Sequence, residues 1–550
     1  MSEQRNIEEA VFGGGLTVRV SREVAEAAEP VLARLLADGV PAKLAAKDPT
    51  LWGPAAEAEA GIRLGWVDTF QRSRALLPQL AELREELGDL DHVVLAGMGG
   101  SSLAPEVISL TLGKQLTVLD TTDPGQVAAA LGDRLDRTVV VVSSKSGGTV
   151  ETDSHRRAYL QAFLDAGMSP AEAGRHFVVV TDPGSPLEAT AREMGATVLL
   201  ADSDVGGRYS ALTAFGLVPT ALAGIDVAEL LDQAEEFATT LTGDLDNPAF
   251  LLGAAMGAAA LAGRDKIALV DDGSGISGLG DWAEQLIAES TGKDGKGILP
   301  VVVETPTSAG ATGSDVLTAT VGGSLGVGAV PGSGVAPHVS VNGPLGAQFL
   351  CWEVATAVAG RVLGIDPFDQ PNVTESKQNT NKILEAGLPA AAPSFTEGDI
   401  VGYGDASSLE DALRALLGAA GEHGYVAVMA YLDRFADADA AKVRELLAAA
   451  SGRPVTFGWG PRFLHSTGQY HKGGPQVGAF LQITGEAAED LAVPGRPYTF
   501  GRLQAAQAAG DRQALAGRDR PLLHLHLTDR AKGIAQLLEA AARLQPYKER

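Results

Sequence analysis

The stretch VVVVSSKSGGTVET, residues 139–152, decides how this chain is read. Four valines run into a cluster of Ser, Thr, Gly and one Lys, and a helical pattern begins at Thr149. A short unbroken apolar run is how a strand buried in a parallel sheet reads. The hydroxyl cluster therefore falls where that strand meets its crossover helix. Free N–H groups at a helix N-terminus face outward there and attract anions. Ser143, Ser144, Ser146 and Thr149 add hydroxyls, Gly147 and Gly148 admit close backbone approach, and Lys145 adds a charge. A single Ser or Thr would suffice to cap the helix. The density found here predicts a phosphate cradle. It lacks the G-x-x-x-x-G-K-[ST] spacing of a nucleotide-binding loop, so no nucleotide is implied.

Outward from this stretch, short apolar runs alternate with amphipathic segments. HVVLAG (92–97), QLTVLD (115–120), TVVVVS (138–143), HFVVVTD (176–182) and ATVLLA (196–201) read as strands, with helices over 150–166 and 185–194. That alternation predicts an α/β fold with a doubly wound parallel sheet. A second such unit starts near 248, with a helix over 248–263, a strand KIALVDD (266–272), a helix GLGDWAEQLIAEST and a strand GILPVVV. Residues 304–335 are rich in Gly, Ser, Thr and Ala and read as a loop, boundary or lid. A long helix over 344–364 precedes GIDPFDQPNV, an irregular connection. We expect a helical N-terminal segment over 1–90, in which Ser21 caps a helix that Pro30 kinks or splits. The first sheet unit then spans 91–245, the second 246–388, and an α/β C-terminal region 389–550.

Composition narrows the class. The chain of 550 residues is too long for one ordinary core, and 45% hydrophobic with 20% charged residues describes a globular protein. Its net charge of −26 argues against nucleic acid as a partner. Any anion site must be locally positive. The single cysteine, Cys351, excludes an intramolecular disulfide and a multi-cysteine metal site, and fits a reducing compartment. With no secretory pattern at the start and no long apolar run, the expected location is the cytoplasm, without membrane association.

Three further motifs carry chemistry. AGMGGSSLAP (96–105) follows the first strand: Gly97, Gly99 and Gly100 permit a tight turn, and Ser101 and Ser102 open the next helix. Beside the 143–152 loop, it predicts a site at the carboxyl ends of neighbouring strands. VGGRYS (205–210) places Arg208 behind two glycines, where its guanidinium either crowds a ligand or lies on the surface. In QLIAEST (285–291), Gln285 and Glu289 share one helix face. Glu289 lies at the last turn, where it is either an ordinary solvated helix-end Glu or a general base whose pKa the helix dipole raises.

G-x-G-G-S-S, S-S-K-S-G-G-T-x-E-T, G-G-R-Y-S, Q-x-x-x-E-S-x-G-K and P-F-D-Q-P-x-V-x-x-S-K occur in this order. Together they resemble the phosphoglucose isomerase family, built from two sugar-isomerase domains, over about residues 90–385. The tail is similar to the actinobacterial type, related to the isomerase half of transaldolase fusions. The resemblance implies a metal-free, cofactor-free isomerase of glucose 6-phosphate and fructose 6-phosphate, commonly a homodimer, acting in glycolysis and gluconeogenesis. Its phosphate loop falls on Ser144, Lys145, Ser146 and Thr149, with Gly100 and Ser101 from the first glycine loop. The oxyanion-stabilising arginine falls on Arg208, the helix-borne glutamine on Gln285, the proton-shuttling base on Glu289 and a late lysine on Lys377. The family's ring-opening histidine precedes that lysine in many members, yet His338 alone lies between Glu289 and Lys377 and its context does not match. The matching string, RFLHSTGQYHKGG (462–474), comes later and offers His465, with His471 and Lys472 in reserve. Two other readings stay open: an isomerase that also takes mannose 6-phosphate, and a non-catalytic sugar-phosphate-binding protein. The context of Glu289 and Arg208 argues against the second.

Overall fold

The structure is a computed structural model and describes residues 9–243, 247–322, 338–389 and 391–544. The valine run forms the strand Thr138–Ser143 at the centre of a five-stranded parallel sheet, in which Val140, Val141 and Val142 have no exposure. Across this sheet the strands run Thr117–Leu119, His92–Gly97, Thr138–Ser143, Phe177–Thr181, Thr197–Leu200. The chain leaves His92–Gly97 towards one edge and returns on its other side, so the order reverses between His92–Gly97 and Thr138–Ser143. Their register pairs Gly97 with Ser143. Both glycine-containing loops therefore leave the sheet side by side, in the crevice where open α/β sheets take ligands.

A second sheet holds four parallel strands, ordered His338–Asn342, Val316–Gly322, Lys266–Asp272, Leu299–Val303. Its edge is extended by an antiparallel hairpin, Glu9–Gly13 and Leu16–Val20. This hairpin departs from the helical segment expected over 1–90. Gly14 and Gly15 both take positive φ at its turn, and Leu16, Val18 and Val20 alternate inward with no exposure. The helix that follows, Arg22–Ala37, runs through Pro30 without splitting, with Pro30 on its exposed side. Ser21 makes no side-chain cap; its hydroxyl instead accepts from the His338 N–H.

The span 304–335, expected to be irregular, contains the central strand Val316–Gly322. Its β-branched residues are fully buried despite the surrounding Gly and Thr. Residues 323–335 of that span lie outside the described residues. The helices Pro248–Leu261 and Leu345–Leu363 pack closely because Gly253 and Gly257 face Val358 and Val362. A Cβ at either glycine would lie 2.7 Å from the valine opposite.

A third sheet, in the C-terminal region, runs Phe395–Glu397, Ile400–Tyr403, Leu522–Leu527, Gly478–Gly485, Tyr425–Tyr431, Val455–Trp459, with the last four strands parallel. It shares a core with the second sheet: Ala268, Val270, Leu299 and Val301 cluster with Tyr425, Ala427, Phe463 and Phe480. Among the described residues no helix is long and apolar enough to cross a membrane.

Candidate active site

The hydroxyl loop folds around its own side chains. Ser144 Oγ lies 3.0 Å from Thr149 Oγ1, and the Gly148 N–H donates to Ser146 Oγ at 3.3 Å. Thr149 is the N-cap of the helix Val150–Asp165, yet its hydroxyl makes no capping bond. Gly147 takes a φ of +68°, and a Cβ there would lie 2.9 Å from Leu187. Lys145 departs from the expected picture of a free charge. Its ammonium pairs with Asp182 at 2.6 Å and donates to the Asp202 and Ser203 carbonyls. The charge at this loop is therefore spent on the sheet edge, leaving hydroxyls and backbone donors for an anion. Ser101 is half-buried, whereas Ser102 is buried and bonded to the Gly99 carbonyl.

The glycine loop at 99–100 is where separate parts of the chain meet. A Cβ on Gly100 would lie 1.9 Å from the Gly207 carbonyl oxygen, so the two loops touch backbone to backbone. A Cβ on Gly99 would lie 2.7 Å from Gln285 Nε2 and 2.8 Å from the His465 carbonyl oxygen. Arg208, next to Gly207, is buried rather than on the surface. It donates to Ser290 Oγ at 3.0 Å and to the Pro367 and Asp369 carbonyls at 2.9 Å, so the irregular GIDPFDQPNV connection serves to hold it.

On the helix Leu279–Thr291, Gln285 and Glu289 share one face, as their spacing predicted, and both are buried. Gln285 Nε2 and Arg208 Nη1 each reach Glu289 Oε2 at 3.3 Å. Burial pushes the Glu289 carboxyl above the usual carboxylate range, against the pull of Arg208, His465 and the Gln285 bond. Burial is thus the main cause, where the sequence pointed to the helix dipole. The upward direction fits the geometry, because Arg208 places its shorter bonds on carbonyls and Ser290 and approaches the carboxylate only distantly.

His465 arrives from the third sheet, on the short turn Arg462–His465 after the strand Val455–Trp459. Arg462 pins that turn to the first sheet through Glu106 and through Asp120 at 3.1 Å. His465 Nε2 stands 3.1 Å from Glu151 Oε1, an oxygen that also accepts from Gln507 Nε2 at 2.7 Å. Gln507 in turn accepts from Thr122 Oγ1 at 2.7 Å. Burial works against a charge on Glu151, but His465, the carboxylate's hydrogen bonds and nearby Lys377 bring it below the ordinary value.

Thr149, Glu151, Lys377, His465, Lys472 and Gln507 line one cavity. Lys377 comes from the helix Val373–Ala386 and is exposed towards solvent. The reserve candidates divide. Lys472 pairs with Asp511 at 2.7 Å beside the cavity, whereas His471 is a core residue packed against Tyr425, Phe463 and Phe480. Burial pushes His471 well below the usual imidazole range.

Glu151 and Gln507 escaped the sequence reading. Glu151 lies inside the opening stretch but reads as an ordinary acid in a helix's first turn. Gln507 is 356 residues away on the helix Phe500–Ala516, where no local pattern marks it.

The phosphoglucose isomerase family model matches residues 84–294, a span that holds both glycine loops, Arg208 and Glu289 but not Lys377 or His465. A probable glucose-6-phosphate isomerase of Haloarcula marismortui is 36% identical over 219 residues, covering 39% of this chain and 50% of its own length. A glucose-6-phosphate isomerase of Thermosynechococcus vestitus is 34% identical over 265 residues, covering 45% of this chain and 48% of its own. The chain spans about half the length of these curated relatives. Among solved structures, a hypothetical protein from Thermus thermophilus aligns with a TM-score of 0.57 at 24% identity, over 67% of this chain and 99% of that one. A glucose-6-phosphate isomerase from Chlamydia trachomatis aligns with a TM-score of 0.56 at 19% identity, over 69% of this chain and 90% of that one. These two share the fold. From residue 84 to residue 294, this chain is similar to the phosphoglucose isomerase family.

Proposed function

We propose that the chain interconverts glucose 6-phosphate and fructose 6-phosphate by acid–base chemistry carried by its own side chains. The observation that carries this reading is Glu289: a buried carboxyl with raised proton affinity, within reach of Arg208 and Gln285 and close to His465. A base of that kind suits removal of a proton next to a carbonyl near neutral pH.

In this reading Ser144, Ser146 and Thr149, the backbone of Lys145, and Gly100 with Ser101 hold the 6-phosphate. His465 and Lys377 serve the ring oxygens, taking a proton from one and returning one to the other as the ring opens. Glu289 takes the proton from C2 of the open aldose and returns it to C1, while the hydroxyl proton passes from O2 to O1 within the enediolate, and the reverse path runs by the same carboxyl. Arg208 stabilises the charge that develops on the enediolate between these steps. Gln285 keeps the reactive carboxylate oxygen oriented. We assign the activity to glycolysis and gluconeogenesis in the cytoplasm, in a homodimer.

A coupled assay of fructose 6-phosphate conversion tests this. The wild type is expected to turn over, and Glu289→Gln to lose activity by about a thousandfold or more. Retained turnover in the variant would remove Glu289 from the base role. A wild type inactive on glucose, fructose and mannose 6-phosphates alike would sink the assignment, and turnover of mannose 6-phosphate would widen it.

A further inference from the structure

A cleft of about 640 Å³ opens on the third sheet, and none of its lining residues belongs to the cavity around His465. The strand Leu522–Leu527 supplies His524 and His526 to one side, and Tyr403 stacks on His524 with ring centroids 4.8 Å apart. The helix Phe500–Ala516 supplies Gln504 and Arg512. Tyr431 and Thr484 close it at the carboxyl ends of their strands. The sheet order reverses here, because Val455–Trp459 and Gly478–Gly485 lie on opposite sides of Tyr425–Tyr431. Parallel sheets bind ligands beside the strand ends at such a reversal. The first sheet builds its hydroxyl loop at the same kind of place.

The charges in the cleft are unevenly satisfied. Glu486 pairs with His526 at 3.2 Å, and Asp490 is bound by the Thr499 hydroxyl and by the Gly501 N–H at 2.8 Å. Thr484 Oγ1 lies 2.9 Å from a ring nitrogen of both His524 and His526. Arg512 bonds only the neutral Gln482 side chain and, among the described residues, has no carboxylate at ion-pair distance. Its neighbour Asp511 is committed to Lys472. In a chain with 69 acidic and 43 basic residues, a half-buried arginine without a counter-charge stands out. Among the described residues, Gln504 Nε2 and the Tyr431 hydroxyl are buried with no hydrogen-bond partner, and such groups are normally bonded.

We propose that this cleft binds a small oxyanion, the phosphate or carboxylate group of a metabolite, with Arg512 as its counter-charge and Gln504 and Tyr431 as donors. The site is separate from the proposed isomerase chemistry.

Calorimetric titration of the full chain with inorganic phosphate, and separately with malonate, tests it. The titrations use a Ser144→Ala/Ser146→Ala/Thr149→Val background, which weakens the hydroxyl loop, and the Arg512 and Ala505 variants identify the event that belongs to the cleft. One binding event per chain is expected to remain for at least one anion, and which anion binds tells phosphate from carboxylate. Arg512→Gln should weaken that event about tenfold or more, and Arg512→Lys should restore most of it. Ala505→Glu sets a carboxylate on the same cleft wall while leaving Arg512 in place, and should cause the same loss. No binding event for either anion in the background would overturn the proposal, as would unchanged binding in both Arg512→Gln and Ala505→Glu.

Discussion

At the scale of single residues, two carboxyls on one helix differ in what surrounds them. Glu289 faces Arg208, whereas Glu284, also buried, lies near Asp281 and accepts a bond from Ser466 Oγ at 3.4 Å. Burial first, and then the Asp281 charge, push Glu284 up from 4.5 to about 8. The folded chain therefore holds a proton there that the unfolded chain releases at a lower pH. Stability from this group is fully present below about 4.5 and is lost as pH rises to about 8. The thermal midpoint of Glu284→Gln should gain on the wild type across that window. Equal pH slopes for the two proteins would show that Glu284 does not hold the proton. Gln507 makes a different case, because it touches Glu151 and no reacting atom in the proposed scheme. Gln507→Leu should lower turnover of ring-closed substrate about tenfold, in line with a lost bond to a charged group, and spare open-chain substrate. An equal loss on both substrates would mark Gln507 as merely structural.

At the scale of elements, contact between two loops sets the site. Gly100→Ala would drive a methyl into the Gly207 carbonyl and displace the segment that carries Arg208. The expected cost is about 1–3 kcal/mol of stability together with most of the activity, read by urea denaturation and by the coupled assay. A fully active, equally stable variant would show that the loops can part freely. The same loops show how far the sequence could be read. The run at 139–142 and the strand 92–97 announced themselves because strands buried on both faces carry a dense apolar signal. Gln285 and Glu289 were legible because four residues make about one helical turn. The hairpin Glu9–Gly13 and Leu16–Val20 was not, since its sheet partner His338–Asn342 is more than three hundred residues away. Val316–Gly322 was obscured by its Gly- and Thr-rich surroundings, and only its central place in the sheet explains its burial. Lys145 was correctly placed in the loop, but a sequence does not show that Asp182 claims its charge.

At the scale of the whole molecule, the site draws on all three sheets. The first contributes the two glycine loops and Glu151, the second the helix bearing Glu289, and the third His465 and Gln507. The family match ends at residue 294, so part of this assembly lies in chain that the match does not reach. The late position of His465 follows from this layout: the turn that carries it is pinned to the first sheet by Arg462, whatever its place in the chain order. Gly99 packs against both Gln285, on the helix that carries Glu289, and His465, so these groups come together inside one polypeptide. The genetic corollary is that two damaged copies cannot repair each other. Cells co-expressing Glu289→Gln and His465→Ala chains should form no more active enzyme than the two variants give apart. Activity restored by mixing would mean that one chain lends its histidine to another. Without such lending, each copy of the gene stands or falls alone.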